Sequence, residues 1–218
     1  MQLNRHRQGK CRRGYAGFSL VELLVATAIG LVGIATFLSF NRFQLFALHD
    51  QTKQINLQKT ARDVVDLFAR EVRRAGMDPK CAGTFSAIAL AKSYEVQVKA
   101  DLDSSGAIDG VNENVTYRFN FAGQRVERVT TTSVERLLSG FDFTGSSIRY
   151  FDSSGVELPG SSGLSAAQRD TIRRVRIELR LTGDTADPNK ASDLQAFAAT
   201  NVDLRNRFFV AATACGAS

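Results

Sequence analysis

Residues 17–40 read GFSLVELLVATAIGLVGIATFLSF, and this run decides how the rest of the chain is organised. From Phe18 to Phe40 the positions are apolar or small, apart from hydroxyl residues and a single acid, Glu22. Wound as a helix, the run spans roughly 35 Å, enough to cross the hydrocarbon core of a bilayer. Ahead of it lie Arg5, Arg7, Lys10, Arg12 and Arg13, with no acid among the first 17 residues. That basic flank predicts a cytoplasmic N-terminus and an exported remainder. A secretory signal has a shorter apolar region with its small-residue cleavage site behind it. Here the small residue, Gly17, comes first. The carboxylate of Glu22 is costly in hydrocarbon unless it finds a partner or reaches the headgroups.

The chain has 218 residues, 44% of them hydrophobic, and a formal net charge of +6, which is enough for one domain with a core plus an appendage. Five of its 28 basic residues lie in the first 17, leaving 23 against 22 acidic side chains in the rest. The positive balance therefore belongs to a leader, and no nucleic-acid partner is indicated.

Beyond Phe40 the pattern becomes amphipathic, with Phe43, Phe46, Leu57, Val64, Leu67, Phe68 and Val72 among polar residues and no proline before Pro79. This predicts helix to about Ala75, closed by Arg73 and Arg74 in its last turn, Gly76 as the left-handed residue and Pro79 beyond. After Cys81 the period becomes that of strands. Ser93 to Ala100 alternates, as do Val115, Tyr117, Phe119 and Phe121; Gly123 then leads to Arg125–Thr130 and suggests a hairpin. Further strands are expected over Phe141–Phe151, Ile172–Leu181 and Ala196–Leu204. In the second of these, Val175, Ile177, Leu179 and Leu181 face one way, and Arg174, Arg176, Glu178 and Arg180 the other. That arginine row reads as a solvated face rather than an anion site. A long helix followed by antiparallel strands is an α+β arrangement.

The string Gly17–Ala26, GFSLVELLVA, resembles the class III signal of type IV prepilins and type II secretion pseudopilins. The resemblance implies that prepilin peptidase cuts after Gly17 from the cytoplasmic side and that the new N-terminal residue, Phe18, is N-methylated. It implies that Glu22 pairs with the terminal amine of a neighbouring subunit as helices stack in a filament. The chain then divides into a leader (1–17), an N-terminal helix (18–76, of which 18–40 is transmembrane and later filament core) and a β-rich head (77–218). The fold implied is the pilin fold, a long helix laid on an antiparallel sheet. Closer similarity is to PilW-type minor pilins, through EVRRAGMDP (Glu71–Pro79), the run Tyr94–Phe119 and VDLRNR (Val202–Arg207), with GspJ-like pseudopilins second. A minor pilin implies partners in other minor and major pilins, the inner-membrane assembly platform and, before assembly, lipid. It implies a single-pass inner-membrane precursor with a periplasmic head, moved later to the pilus and cell surface, with roles in twitching motility and adhesion. A membrane-anchored adhesin that never polymerises is a third reading.

Between two expected strands lies DLDSSGAIDGVNE, Asp101–Glu113. Asp101, Asp103, Ser105, the Ala107 carbonyl and Asp109 follow the alternate spacing of a calcium loop, and Gly106 permits its sharp turn. The twelfth position is Asn112, with Glu113 one place late, so a solvated acidic turn stands beside the calcium reading. Of the three cysteines, Cys11 falls in the leader. Cys81 and Cys215 remain, either as a disulfide, which export would permit, or as two separate thiols. Beyond calcium no cofactor is expected, and catalysis has little support. His6 is in the leader and His49 on the helix, so the head has no histidine for a nucleophilic triad; too few zinc ligands remain, and no GxxxxGK[ST] loop is present.

Overall fold

The computed structural model describes residues 17–83, 85–139, 141–186 and 193–206. Its contacts group into two compact units, Met1–Ala47 and Leu48–Ser218. Helix α1, Leu20–Arg74, runs unbroken for 55 residues and so contributes to both.

In the first unit the large apolar side chains from Phe18 to Leu45 are all exposed. The helix is long and apolar enough to cross a membrane. Its few hydroxyls are turned back on their own helix: Thr27 donates to the Leu24 carbonyl at 2.9 Å, Thr36 to Val32 at 3.0 Å and Ser39 to Ala35 at 2.9 Å. Each hydroxyl is thereby satisfied without water, which suits an apolar surround.

In the second unit α1 buries Leu57, Ala61, Val64, Val65, Phe68, Ala69 and Val72, spaced three or four apart on one face. They share a core with residues of two antiparallel sheets. The first sheet is a meander of β1 (Ile88–Lys92), β2 (Glu95–Lys99), β3 (Asn114–Asn120), β4 (Arg125–Val129) and β5 (Val134–Ser139). The second has the order β7-β6-β8-β9 and comprises β6 (Ser147–Phe151), β7 (Glu157–Leu158), β8 (Arg174–Gly183) and β9 (Leu194–Asp203), with a short helix α2 (Ala166–Thr171) before β8. The two sheets meet where β1 passes β6: Ile148 donates to the Ser93 carbonyl at 2.7 Å, and the Tyr150 hydroxyl to that of Lys92 at 2.8 Å.

The α+β class expected from the periodicities is the one observed. The head is built from two sheets, however, where the sequence suggested one. β1, β5, β7 and α2 lie outside the expected elements, and Phe141–Phe151 is strand only from Ser147. Its first half is a turn carrying the single bridge Asp142–Thr182, with Gly145 at φ 84. Phe121 falls not on β3 but in the turn after it, where Gln124 donates to its carbonyl at 3.2 Å and its ring is 45% exposed. Glu178, expected on the wet face of β8, is buried because Arg176 and Arg149 close over its carboxylate at 2.8 and 3.8 Å.

The C-terminus of α1 follows its sequence signals, with Gly76 at φ 78 and Met77 donating to the Arg74 carbonyl at 3.0 Å. A distant residue completes the cap. The Asn206 amide lies 3.4, 3.1 and 3.4 Å from the carbonyls of Arg73, Arg74 and Ala75, among the last acceptors a helix leaves unpaired.

Candidate functional site

Two regions hold the residues singled out by the sequence. At the N-terminal end, Gly17 and Phe18 are exposed and lie outside regular structure just ahead of α1, with open space around Gly17. Glu22 lies in the first turn, where the amide dipoles of the helix favour a negative charge. It is exposed, and among the described residues it has no ion pair or hydrogen bond. The one acid of the apolar segment is therefore available to a partner outside the chain.

The second region is the loop Asp101–Glu113 between β2 and β3. Its organiser is Glu113, only 2% exposed. One carboxylate oxygen accepts the amides of Leu102 at 2.7 Å and Asp103 at 3.2 Å; the other accepts those of Asp109 at 3.1 Å and Gly110 at 2.7 Å. A Cβ on residue 110 would stand 2.8 Å from that carboxyl group, so only glycine admits the contact. Asp101, fully buried, accepts the amides of Ser105 at 3.1 Å and Gly106 at 2.9 Å, and Asp103 accepts Ser105 at 2.8 Å. These bonds hold Glu113, chiefly through the Gly110 amide, and Asp103, chiefly through the Ser105 amide, below the usual carboxylate range. Gly106 takes φ 85, as the sharp turn requires.

Oxygens of Asp101, Asp103 and Glu113 lie within 4.8 Å of one another. The Ser105 hydroxyl points to the Ala107 carbonyl at 3.3 Å and to Asp109 at 3.4 Å. All six expected ligand residues are thus in one loop, but they do not fit a cation equally. Asp101 and Asp103 keep free lone pairs, whereas the four amides on Glu113 occupy its acceptor capacity. Asn112 turns away, its side-chain oxygen accepting Arg128 at 2.9 Å.

That bond leads to a polar clamp which the periodicity reading did not identify. Glu71, near the end of α1, receives two bonds from Arg128 of β4, at 2.9 and 2.8 Å, and the Tyr117 hydroxyl of β3 at 2.7 Å. Burial, reinforced by the Glu71 charge, pushes the Tyr117 phenol well above its ordinary pKa, so it stays a neutral donor. A carboxylate in the helix exit EVRRAG and an arginine paired in register with Tyr117 were the available signals. Only the fold shows that they meet. Cys81 lies in the loop after α1, whereas Cys11 and Cys215 fall outside the described residues.

An exposed apolar N-terminal helix bearing one acid in its first turn, continuing into a helix packed on antiparallel sheet, defines a pilin-like, membrane-anchored protein. The N-terminal segment, residues 12–38, matches the prokaryotic N-terminal methylation motif. Residues 50–197 match the family described as prepilin peptidase-dependent protein B, and the chain belongs to that family. No curated protein and no solved structure matches it. Pilin-like families of this kind are structural, depend on prepilin peptidase for processing and associate with other pilins.

Proposed function

We propose that the chain is a minor pilin that helps start and build type IV pili at or near the tip. The observation that carries this reading is the exposed apolar face of α1 from Phe18 to Leu45, with Glu22 free in its first turn. Prepilin peptidase cuts between Gly17 and Phe18 and the amine of Phe18 is methylated. The helix waits in the inner membrane with the N-terminus cytoplasmic and the head periplasmic. On assembly it exchanges lipid for other pilin helices, and Glu22 pairs with the terminal amine of a neighbour; an unpaired charge in that core would be strongly unfavourable, so the pair sets axial register. Cys81 and Cys215 form a disulfide in the periplasm, worth about 4 kcal/mol in the chain-entropy model.

Mass spectrometry of the protein from its host tests the processing: the mature chain begins at methylated Phe18, and a chain retaining residues 1–17 overturns it. Deletion of the gene is expected to abolish or strongly reduce surface pili. Normal piliation with impaired export of folded enzymes would instead favour the pseudopilin reading.

A weak calcium site at Asp101 and Asp103, completed by Ser105, the Ala107 carbonyl and Asp109, is a second element of the proposal, favoured by the approach of the Asp101 and Asp103 carboxylates to within 4.8 Å of each other. Glu113 would shape this site rather than bind in it. Isothermal titration of the detergent-solubilised chain with calcium chloride, with and without Asp103→Asn, decides it; no heat from the unaltered protein removes calcium from the account.

A further inference from the structure

The outward face of the second sheet carries Arg149, Arg174, Arg176 and Arg180. Three of these meet carboxylates: Arg149 lies 3.8 Å from both Glu157 and Glu178, Arg174 2.7 Å from Asp203 and Arg176 2.8 Å from Glu178. Arg180 does not. Among the described residues its guanidinium has only the Phe197 ring, 5.3 Å away, and its stem passes over Gly145, where a Cβ would stand 3.5 Å from its Cδ. A cation held between a ring and a turn is oriented in advance, and its donors remain open. Beside it is a cavity of about 320 Å³, lined among the described residues by Thr144, Arg180, Thr182, Gln195 and Phe197; the nearby Asp142 carboxylate is taken up by the Thr144 amide and hydroxyl at 2.8 and 2.6 Å.

A second observation concerns β9, which carries Phe197 and forms the edge of its sheet. It pairs with β8 over ten consecutive residues without a bulge, and it contains no proline, no lysine and no charge before Asp203. No strand pairs with its outer edge among the described residues. Helix α1 reaches this edge only at its start, where Gln54 donates to the Gln195 carbonyl at 2.6 Å. From Phe197 onward no described residue bonds the outward backbone groups, and the sequence devices that ordinarily blunt a sheet edge left to solvent are missing. Phe197, 55% exposed, stands on it.

We infer that the outer edge of β9 receives an extended segment of a partner polypeptide, one of whose Asp or Glu side chains enters the cavity and pairs with Arg180. The edge supplies main-chain hydrogen bonds without regard to sequence, and Arg180 on its ring supplies the selection for an acid. This docking does not depend on polymerisation through α1, so it stands or falls separately from the pilin reading.

The test is photo-crosslinking in the host, with benzoylphenylalanine at Ala199, two residues along the exposed face from Phe197, in the full-length chain. Sequencing of the crosslinked peptide by mass spectrometry is expected to give a segment of another chain containing Asp or Glu. Arg180→Glu should lower the yield about tenfold or more, since it sets a like charge against the partner's acid. Arg180→Lys should keep most of it, and reversing the partner's acid to lysine should restore the Arg180→Glu crosslink. An absent crosslink, one confined to the protein's own chain, or a yield indifferent to Arg180→Glu overturns the inference. The mass of the mature N-terminus, read on the same sample, reports independently on processing.

Discussion

Glu113 shows how one buried side chain holds a loop that composition alone would assign to solvent. Its four amide bonds close the loop on itself. Replacement by glutamine sets an NH₂ group against two of those amides, and the expected cost is about 2 kcal/mol in a urea melt of the solubilised protein. Its acid dependence follows from the lowered pKa. The unfolded carboxyl titrates near 4.3, the folded one lower. The stabilisation is therefore complete above the unfolded value and lost as pH falls through the folded value. Melts of Glu113→Gln below about pH 4.5 should lack part of the acid-induced loss that the unaltered protein shows. Glu71 is more demanding, since two groups depend on it. Glu71→Ala takes the acceptor from the Tyr117 hydroxyl and leaves Arg128, 11% exposed, with only Asn112 and the more distant Glu135. About 2 kcal/mol of destabilisation is expected, as for leaving a buried hydroxyl unsatisfied and weakening a charge-assisted bond. Glu71→Gln, which retains an oxygen for Tyr117, should cost less; equal losses would mean the clamp acts through packing alone.

At the level of elements, α1 is joined to its sheets by packing and by its cap. The Phe68 ring is fully buried and meets Tyr117 edge-on, with centroids 5.2 Å apart. Truncation by Phe68→Ala should cost roughly 3–5 kcal/mol, with the loss read from the denaturation midpoint. Asn206 holds the other end of the helix by reaching back from beyond β9. Asn206→Ala should cost about 1 kcal/mol, and faster amide exchange should be confined to the last turn of α1. The first sheet has its own internal tie. Glu127 is 1% exposed, and burial opposes its ionisation, yet hydrogen bonds and charge from Arg118 and Arg125 prevail and its pKa falls. This explains why β4 buries an acid where alternation alone would set a polar residue towards water.

For the molecule as a whole, the anchor and its acid are the features on which assembly depends. Glu22→Ala should leave membrane insertion and cleavage intact and reduce recovery of the protein in sheared filaments severalfold; unchanged recovery would favour an anchored protein that does not polymerise. Reading the chain as a one-dimensional pattern was enough for the anchor, the uninterrupted helix, its stop at Arg73–Gly76, the alternation of β2 and of β3 as far as Phe119, and the presence of β4 and β8. Each of these depends on neighbours within a few residues, whose periodicity or conformational preference is local. The capping box of Ser165 and Gln168 on α2 went unread, although its spacing is local. Other features could not be read in this way: the division into two sheets, the partnership of Glu71 with Arg128 and Tyr117, the burial of Glu178, and the bond of Asn112 to Arg128. They depend on which strands lie side by side and on what stands opposite a charge, 57 residues away for Glu71 and Arg128 and 16 for Asn112 and Arg128. Local sequence fixes where a side chain points along its own strand or helix. Only the packed tertiary structure decides what it meets there, because desolvation and pairing are properties of the space between elements.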